Sequence, residues 1–196
     1  SYQIDPGGQW AFHTYSTFDV PPVISLISLP GHEQIRIMES NSALHKKVAE
    51  LENQPTEFFR IKTEDDLDFD AWFIKPPYFD PSKKYPLFFY VYGEPAGQTV
   101  LDRWSGRRTL WHQLIAHQGY LVMSVDKRLT PGPRGRDWRE SIYRQIGILA
   151  SQDQEAAAEA IIKTRPYVDK DRNGIWGWSG GGQMLSHKNI SEPTKR

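Results

Sequence analysis

Gly177-Trp178-Ser179-Gly180-Gly181 has the pattern Gly-x-Ser-x-Gly and is followed by a further Gly182. The pattern suits a serine nucleophile. A serine on a sharp turn between a strand and a helix exposes its Oγ, and small residues on both sides let the backbone close around it. The amide of the next residue, Gly180, then points to where an oxyanion forms. The flanking text agrees. Gly174-Ile175-Trp176-Gly177-Trp178 reads as a strand, and Gln183-Met184-Leu185 as the start of a helix. A glycine-rich turn with no chemistry fits the same letters, and the pattern by itself leaves both open.

A nucleophilic serine needs a base and an orienting carboxylate, and with this turn both follow it in the chain. After Ser179 there remain 196 − 179 = 17 residues, with one histidine, His187, and one acid, Glu192. His187 stands about two turns along the same expected helix, which aims it away from the serine. Glu192 lies in the breaker-rich Ser191-Glu192-Pro193-Thr194. Both read as solvated tail residues.

Other chemistries find less support. There is no cysteine, which removes thiolate nucleophiles, disulfides and Cys-ligated metals. His112 and His117 miss the i, i+4 spacing of a zinc pair. Glu64-Asp65-Asp66, with Asp68 and Asp70, lacks the glycine and final glutamate of a calcium loop and reads as a solvated turn. No metal and no cofactor is expected. Arg134-Gly135-Arg136-Asp137-Trp138-Arg139 mixes basic and aromatic residues, but 24 Lys+Arg balance 24 Asp+Glu. A neutral chain has no nucleic-acid footprint, so this segment is expected to be a loop near the active-site face.

The elements that must position Ser179 are legible in outline. Of the 196 residues, 38% are hydrophobic and 13% aromatic, enough for a packed core. The first part is turn- and strand-rich: Trp10–Tyr15, Val23–Leu29 and Gln34–Met38 read as a β-meander, a blade at the end of a larger array. Ser42 to Leu51 has a short helical period. Glu57–Ile61 and Phe69–Ile74 read as strands around the acidic turn. From Tyr85 the texture is α/β. Pro86–Tyr92 and Tyr120–Val125 are apolar strands, Trp111–His117 is helical, and Asp153–Lys163 is an Ala-rich helix with Ser151 as its N-cap. The division is placed near residue 60, giving segments 1–60 and 61–196.

Several segments, in fixed order, resemble the dipeptidyl peptidase IV branch of the prolyl oligopeptidase family of serine peptidases. They are Phe79–Pro86, Val91–Val100, Asp126-Lys127-Arg128-Leu129-Thr130, Ile142-Tyr143-Arg144, Tyr167–Arg172 and Ile175–Gly182. Ser16–Pro22 and Asn41–Leu44 fit that family's passage from its last propeller blade to its hydrolase domain. The resemblance implies a partial α/β-hydrolase domain over 61–196, preceded over 1–60 by the last strands of a β-propeller. It implies Ser179 as nucleophile, Gly177, Trp178 and Gly181 as its elbow, and Tyr92 with the Gly180 amide as oxyanion hole. A phenol, with a pKa of about 10, stays protonated at neutral pH. It further implies a peptide substrate losing N-terminal dipeptides after proline or alanine, an exported parent enzyme, and homodimers as an option for full-length relatives. A catalytically inactive piece and an ester-cleaving α/β-hydrolase remain the alternatives.

Departures are also visible. Lys127 and Leu129 stand where the family usually has Asn and Gly. A leucine forced to a glycine-like positive φ is strained by ~1 kcal/mol or more. Gly180 replaces the tyrosine of mammalian members, while bacterial relatives tolerate glycine. After Leu185 the text stops resembling the family, and its Asp and His are missing, so a truncated or frame-shifted piece is expected. These 196 residues by themselves are therefore expected to show negligible turnover of Gly-Pro or Ala-Pro chromogenic substrates. Oxyanion donors alone retain roughly 10³-fold catalysis over water, and losing the base costs far more. Hydrolysis by the purified 196-residue polypeptide that Ser179→Ala removes would overturn this.

Overall fold

The structure, a computed structural model, describes residues 1–92, 94 and 97–182. The chain forms two compact units. The first is Ser1–Pro55 with Asp102–Trp111, and the second is Thr56–Leu101 with the chain from His112 onward.

The first unit is an antiparallel meander in the order β1 (Tyr2–Ile4), β2 (Trp10–Tyr15), β3 (Val23–Ser28) and β4 (Gln34–Glu39). Asp5 shapes its first turn: Oδ2 accepts from the Gly7 amide, and Oδ1 from those of Gln9 and Trp10. These bonds, that from Trp10 foremost, hold the carboxyl below its ordinary pKa. Ala11, Phe18 and Ile27 are buried, whereas every residue of β4 is exposed. A short helix, α1 (Ser42–Ala49), follows. Asp102–Trp111 joins this unit through Asp102, whose carboxylate accepts the Phe18 amide at 2.7 Å, and through Trp104, whose amide donates to Ser16 Oγ at 3.3 Å.

The second unit is built on a mixed sheet of β5 (Glu57–Lys62), β6 (Asp68–Ile74), β7 (Tyr85–Val91), β8 (Leu121–Val125) and β9 (Val168–Gly177). Its spatial order is β5-β6-β8-β7-β9. β5–β6 and β6–β8 pair antiparallel, while β7 pairs parallel with both β8 and β9. The two apolar runs became the central strands because both their faces are covered. All five residues of β8 are buried, and Leu87, Phe89, Tyr90 and Val91 of β7 are at most 5% exposed. Burying each such side chain is worth roughly 1.5–3 kcal/mol. α2 (Arg107–His117) begins in the first unit and ends in the second, which also holds α3 (Gly135–Glu140) and α4 (Ile148–Thr164), and α4 packs Ala157 and Ile161 into the core.

Three local expectations are corrected. Ser151 is not an N-cap: α4 starts earlier, after Gly147 at φ 89°, and the Ser151 hydroxyl donates back to the Gly147 carbonyl at 2.7 Å. A serine inside the first turn satisfies its hydroxyl that way. Residues 135–140 are helical rather than loop, and the Arg134 guanidinium stacks 4.0 Å from the Trp138 ring centroid. α2 starts at Arg107, four residues before the apolar period shows it.

One expectation about strain is met. Leu129 takes φ 75°, and its amide donates to the Trp138 carbonyl at 3.1 Å. The turn is anchored just before it. The Arg128 guanidinium grips Asp153 through Nε and Nη2, with Nη2 at 2.6 Å, while the Arg128 amide donates to the same carboxylate. The Asp153 side chain is only 1% exposed. Removing one partner of a buried pair strands the other. Arg128→Ala is therefore expected to cost about 3 kcal/mol or more in urea unfolding. Lys163→Ala, at the exposed pair with Glu64, is expected to cost less than about 1 kcal/mol. Equal losses in the two variants would contradict this account.

Candidate functional site

β7 and β9 lie side by side and run the same way, with Val91 opposite Gly177. Each strand ends there, so Tyr92 leaves one carboxyl end and Trp178-Ser179 the neighbouring one. In open α/β sheets, ligand sites lie off such ends.

Glycine at two positions makes this closeness possible. A Cβ on Gly177 would lie 2.6 Å from the Val91 carbonyl oxygen, and one on Gly181 would collide with the same oxygen. Ser179 therefore sits on a turn folded back over the end of β7. Its φ is 55°, in the left-handed region that a side chain disfavours, and it is exposed. The chain is helical from Gly180 to Gly182, and the Gly181 amide donates to the Trp178 carbonyl at 3.0 Å. Strand, strained exposed serine and helical turn follow one another as a nucleophile elbow requires. Trp178 is 76% exposed, so the turn puts a large aromatic surface in solvent beside the serine. His187 and Glu192 lie outside the described residues.

On the β7 side, Tyr92 is half-buried, with its ring packed against Gly97, where a Cβ would strike it. The Gly97 amide donates to the Glu94 carbonyl at 3.1 Å. Glu94 reaches the serine side: a Cβ on buried Gly180 would lie 2.8 Å from Glu94 Oε1 and 3.0 Å from the Glu94 nitrogen. The structure thus brings Gly177, Gly180 and Gly181 against the β7 end, with Tyr92 on the same segment as Glu94.

A buried polar network joins Glu94, Thr99 and Val100 to Asp126 and Lys127. Asp126 Oδ1 accepts from the Thr99 amide at 2.7 Å, the Thr99 hydroxyl and the Val100 amide. Thr99 Oγ1 lies 2.8 Å from Ser124 Oγ, which donates to the Tyr90 carbonyl. Trp72 Nε1 donates to the Thr99 carbonyl. Next in the chain, Lys127 is 1% exposed and donates from Nζ to the Glu94 carbonyl at 2.9 Å. Burial pushes the Asp126 carboxyl above its ordinary pKa and the Lys127 ammonium below its own. Three charged residues directly after an apolar strand were the available signal, since such residues are buried only with partners. Among the described residues, no three His, Asp or Glu side chains are grouped to hold a metal ion.

The model of the prolyl oligopeptidase family matches residues 108–188. The chain is 37% identical over 186 residues to a probable dipeptidyl-aminopeptidase B of Emericella nidulans, covering 94% of this chain and 20% of that protein. It is 36% identical over 155 residues to a dipeptidyl peptidase 4 of Trichophyton equinum, covering 78% of this chain and 20% of that one. It thus spans a fifth of the length of these curated relatives. Among solved structures, it resembles Porphyromonas gingivalis dipeptidyl peptidase 4 with a TM-score of 0.86 and 41% identity over 94% of this chain and 26% of that one. A putative dipeptidyl aminopeptidase IV from Bacteroides ovatus gives 0.81 and 31% identity over 98% of this chain and 27% of that one. The chain belongs to the prolyl oligopeptidase family of serine peptidases, and its second unit carries α/β-hydrolase structure.

Proposed function

We propose that this chain supplies the nucleophile side of a dipeptidyl peptidase. Ser179 Oγ attacks the scissile carbonyl of a peptide substrate. The charge that gathers on the carbonyl oxygen is met by the Tyr92 hydroxyl and the Gly180 amide. The amine leaves, and water hydrolyses the acyl-serine ester. The triad base and carboxylate come from outside the described residues. In this reading the four-stranded meander of the first unit is the end of a β-propeller. The substrate class, a peptide cut two residues from its N-terminus, follows from the names of the relatives. The observation that carries the proposal is the exposed Ser179 at φ 55° on the turn leaving β9, beside the strand end that bears Tyr92.

The test uses the full-length protein that carries this sequence, assayed with Gly-Pro and Ala-Pro chromogenic substrates. Ser179→Ala is expected to lower kcat by ~10³-fold or more. Turnover that survives the substitution would overturn the assignment.

The strained serine has a second consequence, measurable without substrate. Alanine at 179 keeps the Cβ that the left-handed backbone disfavours, and glycine removes it. Ser179→Gly is expected to be more stable than Ser179→Ala by about 1 kcal/mol in thermal or urea unfolding, although both are inactive. Equal stabilities would mean that the turn carries no strain at the serine.

A further inference from the structure

The Glu94 carbonyl is a junction. It accepts from the amide of Gly97 at 3.1 Å, the glycine against which the Tyr92 ring packs. It also accepts from Lys127 Nζ at 2.9 Å. The same residue presents its nitrogen and Oε1 to Gly180. Both proposed oxyanion donors, Tyr92 and the Gly180 amide, therefore border one short segment, and the side chain that ties its carbonyl to the core is Lys127.

Lys127 is an unusual choice for that place. A lysine is almost never fully buried without partners. This one is flanked in sequence by Asp126, held by Thr99 and Val100, and by Arg128, held by Asp153. The charges of Asp126, Asp153 and Glu94 favour its ammonium, against the desolvation that opposes it. A buried cation is costly to keep, and its hydrogen bond ends on a loop carbonyl beside the site rather than on a carboxylate.

We propose that Lys127 is a positioning residue of the oxyanion hole: its bond to the Glu94 carbonyl, which also accepts from the Gly97 amide, fixes Glu94 and Gly97 beside Gly180 and the Tyr92 ring. The inference rests on the reading of Ser179, Tyr92 and Gly180 given above. Misplacement of a catalytic donor by ~1 Å is enough to cost on the order of 10²-fold in rate. Lys127 reaches the chemistry only through Tyr92 and Gly180.

The experiment is a double-mutant cycle in the full-length protein, with Lys127→Met, Tyr92→Phe and the double variant. kcat and KM are measured on Gly-Pro and Ala-Pro chromogenic substrates. Lys127→Met is expected to lower kcat ~10- to 100-fold with KM changed less than about 3-fold. The double variant is expected to lose far less than the product of the single effects, because Lys127 acts through the tyrosine. Lys127→Gln keeps an amide donor and is expected to recover part of the lost kcat. It also carries the cycle if the methionine variant does not fold. Hydrogen exchange at the Gly97 amide is expected to speed up ~10-fold or more in Lys127→Met at unchanged global stability. Multiplicative kinetic effects, or unchanged Gly97 exchange, would overturn the role of Lys127. Ser179→Ala, run alongside, separates the two ideas. Activity surviving there overturns the nucleophile reading and this one with it, whereas loss there with multiplicative effects overturns only the role of Lys127.

Discussion

The Val91 carbonyl oxygen fills the space where side chains at Gly177 and Gly181 would stand. A methyl group at either position would push β9 or the following turn away from β7, and with it Ser179 from the segment that carries Tyr92. The site therefore depends on two missing side chains, because backbone must approach backbone more closely than any Cβ allows. The neighbouring strands make the constraint stiff. β7 is gripped by β8 on one side and β9 on the other, and the buried faces of β7 and β8 leave no slack for a shift. Such a frame is what lets one residue stay in a disfavoured backbone conformation.

After β8, three consecutive charged residues leave a fully buried strand and find partners in three different parts of the chain. Asp126 takes the amides of Thr99 and Val100, Lys127 the Glu94 carbonyl, and Arg128 the Asp153 carboxylate. Each bond ties a distant segment of the chain to the end of β8. The fan also accounts for Leu129. With Arg128 fixed on α4 and the Leu129 amide committed to Trp138, the backbone between has to turn through a positive φ. The loops that border the site are thus held by polar bonds, while the strands are held by apolar burial.

Much of this was legible in the residues, for physical reasons. Pro86–Tyr92 and Tyr120–Val125 announce buried central strands because an unbroken apolar run has no solvent face to offer. Gly-x-Ser-x-Gly announces the turn because each glycine answers a steric need found at its place. Leu129 was readable as strained only because a family resemblance places glycine there. Other features are invisible to local reading. Asp102–Trp111 returns to the first unit through bonds that join Asp102 to Phe18, 84 positions away, and Trp104 to Ser16, 88 positions away. Ser151 looked like a cap because its type suits one, but Gly147 supplies the geometry four residues earlier. The bond from Lys127 to Glu94 spans 33 positions and ends on a main-chain carbonyl, which no residue type can advertise.

The division between buried and exposed ion pairs gives the molecule two electrostatic regimes. Lys62–Asp66, Lys163–Glu64 and Arg136–Glu140 stand in water, with side chains 60–84% exposed. Dissolved ions screen such pairs, with a Debye length of about 8 Å at physiological ionic strength. Lys127 and the Asp153 side chain are only 1% exposed, so their bonds are screened much less. A change in ionic strength would therefore loosen the outer pairs more than the bonds of Asp153 and Lys127. The bond that holds Glu94 beside Gly180 is in this sense shielded from the salt of whatever medium surrounds the protein.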